Sequence, residues 1–284
     1  MTRATVKCYA KKTLPIDLRP YQSDMLAGIC DAWAAGDVPV AVLPTGGGKT
    51  VVFARAIAEC DAPAVAIAHR RELVGQMSLA LAREGVRHRI VAPRGTVRAI
   101  VRKHTEVVGR SMYSPNAPHA VAGVDSIPRA ADAWCDSVRL WVMDEAHHVL
   151  RANKWGRAVA RFPGARGLGV TATPCRADGR GLGAHADGVF TRIVEGPSMR
   201  DLITDGHLCD YDIACPPSDL DLSHVAVSRA TGDFSAPQLR KEMRRARITG
   251  REDREVDAER DGPSRGRERL REALDQDRGG DVPE

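Results

Sequence analysis

Residues 41–50, AVLPTGGGKT, have the types and spacing to grip a triphosphate. An apolar run through Val38, Val40, Val42 and Leu43 reads as a buried strand. It breaks at Pro44, passes Thr45, turns through Gly46, Gly47 and Gly48, and restarts as a helix at Lys49. The glycines let backbone N–H groups point inward with no Cβ in the way. The helix start adds unsatisfied N–H groups and the positive end of its dipole. Lys49 would bring a point charge to the β- and γ-phosphates, and Thr50 a hydroxyl ligand to Mg2+. The bland alternative is a glycine-rich turn with a surface lysine.

A second cluster, Asp144-Glu145-Ala146-His147, lies 95 residues beyond Lys49 (144 − 49), after an apolar run that starts at Val138. A carboxylate at a strand end beside a phosphate loop holds Mg2+, directly or through its waters; Asp144 is that residue. The neighbouring Glu145 can orient and deprotonate an attacking water. The HExxH pattern of zinc proteases is absent from this stretch.

The elements that must position these residues follow from hydrophobic periodicity. Pro20 to Ala35 reads as a helix with Tyr21, Met25, Ile29 and Trp33 at helical spacing. Residues 49–60 read as a helix, Ala62 to Ala68 as a second buried strand, and His69 to Gln76 as the opening of another helix. Val121 to Ile127 reads as a strand ending near Ser126, and Gly167 to Thr171 as another strand. Further strands are expected at Phe190–Val194 and Leu208–Ala214, around a helix at Ser198–Thr204, before Pro216-Pro217 ends regular structure. Residues 85–118 are strongly basic, with only Glu84 and Glu106 against nine Arg, Lys and His residues. That stretch reads equally as a positive flank for nucleic acid or as a solvated surface. The glycine-rich residues 176–183 match half a dinucleotide fingerprint but follow no strand of the right type.

These motifs carry a resemblance. The general phosphate-loop pattern places glycine where Leu43 stands; in the form found here the loop resembles motif I of superfamily 2 helicases and translocases. Asp-Glu-Ala-His resembles their motif II, the DEAH box. Leu18-Arg19-Pro20-Tyr21-Gln22 resembles the Q-motif region, and His69-Arg70-Arg71-Glu72-Leu73 resembles motif Ia with histidine at the more usual proline position. Val121–Ile127 resembles motif Ib/Ic, and Thr171-Ala172-Thr173-Pro174 resembles motif III. The resemblance implies that Gln22 contacts adenine, that Thr45, Gly46, Gly47, Gly48, Lys49 and Thr50 bind ATP, and that Thr50 and Asp144 hold Mg2+. It implies that Lys49, Asp144 and Glu145 act in hydrolysis. It implies that His147, Thr171 and Thr173 couple hydrolysis to movement, and that Arg70, Arg71 and Ser126 touch nucleic acid. A helix start with arginine is in any case a phosphate site. The implied fold is α/β: the N-terminal RecA-like P-loop domain of a DEAD/DEAH-box helicase of the type III restriction res-subunit kind, a mostly parallel sheet with helices on both faces.

Composition bounds the rest. With 284 residues, 43% apolar and only 4% aromatic, the core is expected to be mostly Val, Ala, Leu and Ile. Net charge of +5 is compatible with a polyanionic partner without demanding one. Seven scattered cysteines form no CxxC pair, which points to reduced thiols and a cytoplasmic setting. No apolar run approaches the roughly 20 residues of a membrane span, so no membrane partner is expected. The expected division is an extension over 1–17, the ATP-binding domain over 18–217, a linker over 218–237, and a charged, poorly packed tail over 238–284. The basic start fits a flexible extension or a transit peptide. After residue 250 no second RecA-like domain of about 100–150 residues fits. Two functions are therefore carried forward. One is the ATP-binding domain of a nucleic-acid-dependent ATPase completed by a second RecA-like domain in trans, with DNA preferred over RNA. The other is a non-catalytic nucleic-acid or partner-binding module that keeps the fold. A P-loop kinase is disfavoured by the DEAH box and Thr-Ala-Thr-Pro.

Overall fold

Buried parallel strands read as unbroken apolar runs because both of their faces are covered. The strand Ala64–Ala68 (β2) is such a run, AVAIA, with all five residues buried. The computed structural model describes residues 17–176, 180–212, 220–226 and 234–245. The expected N-terminal extension, the centre of the glycine-rich loop and most of the charged tail lie outside those residues.

The described residues form two compact units, 17–176 with 180–211, and 212 with 220–226 and 234–245. In the first, helices α1 (Pro20–Ala34), α2 (Lys49–Ala58), α3 (Arg71–Arg83), α4 (Arg94–Val108), α5 (Asp132–Ser137), α6 (Lys154–Val159) and α7 (Met199–Thr204) surround one sheet. Its other strands are β1 (Pro39–Val42), β3 (His88–Val91), β4 (His119–Gly123), β5 (Leu140–Asp144), β6 (Arg166–Thr171) and β7 (Arg192–Glu195). The seven strands run parallel in the order β3-β4-β2-β5-β6-β1-β7. The second unit holds the exposed helix α8 (Ala236–Arg245), which buries no residue; the Ala226 N–H donates to Gln238 Oε1 at 2.8 Å.

Alternation along the strands builds two cores. Ala64, Ala66 and Ala68 face Ile29 of α1, Phe53 and Ile57 of α2, Met77 and Leu81 of α3, and Ile100 of α4. Val65 and Ile67 face the opposite layer, with Trp141, Met143, Trp155, Phe162 and Phe190. The bulky Trp141 fits because β6 offers glycine beside it: a Cβ at Gly167 would strike the indole.

The edge of the sheet is pinned by a buried relay. His88 donates Nδ1–H to the Val86 carbonyl at 2.8 Å, leaving its Nε2 to accept from the Ser78 hydroxyl at 2.6 Å. The Ser78 oxygen in turn accepts from His104 Nε2 at 3.0 Å. All three side chains are fully buried and join β3, α3 and α4. His104 Nδ1 is left buried without a partner. Burial holds His88 down to about 4, and it lowers His104 and the neighbouring His119 as well.

Several expectations need correction. The strand expected over Val121–Ile127 ends at Gly123; residues 124–129 form a 3₁₀ turn, which accommodates Pro128 and its missing N–H. No strand spans Leu208–Asp212, because the His207 and Leu208 N–H groups bond back to the Leu202 carbonyl and close α7; Ala214 lies outside the described residues. The strand expected at Phe190–Val194 is shifted to Arg192–Glu195. The basic stretch 85–118, for which no element was expected, contains β3 and α4.

Candidate active site

Each phosphate-loop residue owes its place to the strand below it. Leu43, where the general pattern has glycine, is fully buried. Its N–H donates to the Thr171 carbonyl at 3.1 Å, and its side chain fills the space under Gly47, where a Cβ would lie 2.7 Å from Leu43 Cγ. The departure from the pattern is thus a core residue. Gly46 and Gly48 adopt φ of +82° and +91°, a backbone that L side chains resist. Lys49 Nζ donates to the Leu43 and Pro44 carbonyls at 3.1 and 3.4 Å.

Gln22 is 4% exposed and lies against this loop. Its Oε1 accepts from the Arg19 N–H at 3.0 Å and its Nε2 donates to the Gly47 carbonyl at 3.3 Å. The same carbonyl accepts from the Tyr21 hydroxyl at 2.8 Å. Both polar ends of Gln22 are therefore engaged by the protein, and an adenine contact would draw on its remaining N–H and its second Oε1 lone pair.

Asp144 ends β5, two strands from β1, with β6 between them. Lys49 lies within electrostatic reach of both acids. Burial lowers its ammonium, and the Glu145 and Asp144 charges oppose that shift. Burial and the adjacent Glu145 charge raise Asp144 to about 6; the Glu145 N–H, at 3.0 Å from Asp144 Oδ1, and Lys49 act in the other direction. Glu145 adopts φ of +53°, a left-handed backbone rare for a residue with a Cβ. Such strain persists only where the surroundings over-determine it.

Motif III lies between the other two motifs. The Thr171 hydroxyl donates to the Thr173 carbonyl at 3.0 Å and accepts from the Thr173 N–H at 3.1 Å. Its remaining lone pair faces His147 Nδ1 at 3.0 Å, which makes that nitrogen the protonated one. His147 Nδ1 also stands 3.3 Å from Thr173 Oγ1 and 3.5 Å from Glu145 Oε2. Sequence reasoning named these four residues separately; the structure brings them into one network.

The candidate nucleic-acid residues line the same carboxyl edge. Arg70 is the N-cap of α3 and Arg71 its first residue, both exposed after β2. Ser126 is half-buried on the turn after β4, one strand further out. A cleft of about 440 Å3 opens between motifs Ia and II, lined by His69, Arg70, Glu72, Leu73, Glu145, His147 and His148.

The profile of the type III restriction enzyme res subunit family, ResIII, matches residues 15–176, more than half of the chain. The chain belongs to this family. The Saccharomyces cerevisiae protein named "Putative ATP-dependent helicase IRC3" is 26% identical over 237 residues; these span 77% of this chain and 31% of that protein. The ResIII chain thus covers about a third of that relative. Among solved structures, a nuclease-deletion mutant of the Type ISP restriction-modification enzyme LlaGI, in complex with a DNA substrate mimic, is similar with a TM-score of 0.50. It is 12% identical and covers 68% of this chain and 21% of its own. The UvsW helicase of bacteriophage T4 matches with a TM-score of 0.46 at 15% identity, covering 63% of this chain and 60% of its own. At 12% identity the likeness to LlaGI is one of fold alone.

Several residues of the ResIII site were missed by sequence reasoning. Tyr21 stood on a helix face and in the Q-motif stretch with no role of its own, yet its hydroxyl reaches the phosphate loop 26 positions away. Leu208 abuts the same loop: a Cβ at Gly46 would lie 2.8 Å from its Cδ2. His148 and Trp155, whose rings stack at 5.2 Å, continue motif II into α6. The doubled histidine of Asp-Glu-Ala-His-His was the available signal for His148; Trp155 had none.

Proposed function

We propose that this chain binds ATP with Mg2+ through Gln22, Thr45–Thr50 and Asp144, and hydrolyses it with Glu145 as general base. In this reading Lys49 exchanges the Leu43 and Pro44 carbonyls for phosphate oxygens. Mg2+, which neutralises phosphate charge, would be held by the Thr50 hydroxyl and the Asp144 carboxylate. The donor set fits: burial, and then the neighbouring Glu145 charge, raise the Asp144 carboxyl to about 6, and a bound dication would offset both. Among the described residues no cluster of three His, Cys, Asp or Glu forms a closed metal cage, and nucleotide-borne Mg2+ needs none. His147 Nδ1 lies 3.5 Å from Glu145 Oε2, beside the carboxylate that would activate an attacking water. The Thr171 and Thr173 contacts to His147 pass the state of that carboxylate to motif III.

The observation that carries this reading is the convergence of Lys49 on Asp144 and Glu145. Nucleic acid binds along Arg70, Arg71 and Ser126. The fold shared with DNA-bound LlaGI and the restriction-enzyme family support DNA over RNA. A second RecA-like domain in trans supplies the arginine fingers, which contribute about 10³–10⁵ in turnover where measured. The chain alone hydrolyses slowly and does not translocate. It works in the cytoplasm, where its thiols stay reduced; no described helix is long and apolar enough to cross a membrane.

The test is nucleotide binding and hydrolysis by wild type, Lys49→Ala and Glu145→Gln, with and without single- and double-stranded DNA and RNA. Lys49→Ala should lose ATP binding. Glu145→Gln should keep it and lose roughly 10²–10⁴ in hydrolysis. Equal turnover in wild type and Glu145→Gln would leave only the non-catalytic binding module. Brisk, unaided strand separation would refute the need for a second domain.

A further inference from the structure

Resting on that reading, we propose that Lys154 senses the nucleic-acid backbone and that Trp155 and His148 carry its state to Glu145. Lys154 opens α6 on the far side of motif II. Its Nζ lies 3.1 Å from Asp125 Oδ1, the residue beside Ser126, and 4.7 Å from the centre of the Trp155 ring. The Lys154 and Asp125 side chains are 44% and 69% exposed, so their ion pair is weak and open to competition. A backbone phosphate arriving at Ser126 takes the place of Asp125. The ammonium then leaves the Trp155 face for a stronger, multiply accepting anion.

The connection inward is firm. Trp155 is 8% exposed and stacks on His148 at 5.2 Å and 25°. The His148 ring lies 4.2 Å from that of His147, which stands 3.5 Å from Glu145 Oε2. A branch reaches motif Ia, where His69 meets the edge of His148 at 5.4 Å. The backbone is clamped too. Asn153 Oδ1 accepts from the Trp155 and Gly156 N–H groups at 3.0 and 3.1 Å, while its Nδ2 donates to the His148 carbonyl at 2.7 Å. A tilt of the α6 start therefore moves His148. Lys154 acts as a contact residue, Trp155 and His148 as positioning residues.

DNA binding measured by fluorescence anisotropy across a salt series tests this, with ADP and with a non-hydrolysable ATP analogue. The variants are Lys154→Gln, Asp125→Asn, Trp155→Leu and Trp155→Phe. Lys154→Gln should weaken binding roughly fivefold to tenfold at 0.1 M salt and flatten the log–log salt slope by about 0.9. Asp125→Asn should act oppositely and tighten binding several-fold, since Lys154 loses its competitor. Trp155→Leu should keep DNA affinity while the nucleotide-dependent change in that affinity collapses to about onefold; Trp155→Phe, which keeps a ring, should retain it. The two exposed substitutions leave the fold intact, so their opposite signs are readable even if Trp155→Leu does not fold. An unchanged salt slope in Lys154→Gln, shifts of one sign in Lys154→Gln and Asp125→Asn, or wild-type coupling in Trp155→Leu would overturn the proposal. Wild-type protein that binds ATP and DNA, but whose DNA affinity ignores the nucleotide, would overturn it alone. Failure to bind ATP or DNA at all would instead sink the proposed function.

Discussion

Replacing His88 by Gln should change how stability depends on pH, by an amount the buried relay sets. In the folded chain the His88 imidazole is held to about 4, against an ordinary 6.5, with no exposed surface. The unfolded chain therefore takes up a proton that the folded chain refuses. The stability that this neutral histidine contributes is complete above pH 6.5 and is lost as pH falls toward 4. At pH 5 the loss is about 1.5 pH units of preference, or about 2 kcal/mol. His104 from α4 and His119 from β4 face His88 and act in the same direction, and Ser78 from α3 carries no charge. Asp144 has the opposite sign. Its carboxyl is raised to about 6, so protonation below that value favours the folded state and masks the histidine effect in wild type alone. The difference between wild type and His88→Gln isolates the relay. At pH 7.5 the variant should be less stable by about 1–3 kcal/mol, through a lost buried hydrogen bond. By pH 5 that gap should narrow by about 2 kcal/mol. Urea unfolding at both pH values measures it, provided the two proteins unfold with equal slopes. A gap that stays constant would refute the neutral, solvent-free relay.

Three further outcomes follow from single contacts. Gly48→Ala places a methyl against Gln22 Nε2 on a backbone at φ +91°; it should cost about 1–3 kcal/mol in thermal melts and weaken ATP binding seen by fluorescent nucleotide. Thr171→Val removes the shorter of the two hydroxyl contacts to His147 Nδ1 and the acceptor of the Thr173 N–H; stability should fall by about 1–3 kcal/mol, turnover more than ATP affinity, and Thr171→Ser should restore both. Gly167→Ala overpacks Trp141 far from the nucleotide; it should lower stability by about 1–3 kcal/mol while ATP affinity at low temperature is unchanged.

Legibility followed burial. β1, β2, β5 and β6 lie at the centre of the sheet and are buried along most of their length, and each of the motifs at their ends carries its own composition signal. The periphery lacked such signals. α4 carries Val97, Ile100, Val101, His104 and Val108 at helical spacing, but it buries only Ile100 and His104, and its many charged residues read as solvated surface. β3 has four residues at the sheet edge and depends on the hidden Ser78–His88–His104 relay. α5 and α6 are six residues each, too short to show a period, and α6 depends on the Asn153 cap and the Trp155 stack. Leu208 reads as a strand residue by type, but its backbone closes α7 instead.

The amino-acid sequence by itself determined the chemistry: a glycine loop with Lys49 and Thr50, and the acid pair Asp144-Glu145 after an apolar strand. It could do so because backbone freedom at glycine and the charge of these side chains are local properties. Only the tertiary structure decided the order β4-β2-β5-β6-β1. That order sets Ser126, Arg70, the acid pair, Thr171 and the phosphate loop in one row along the carboxyl edge. Strand order depends on how helices cover the two faces of the sheet, a balance of packing between distant residues that no local pattern encodes.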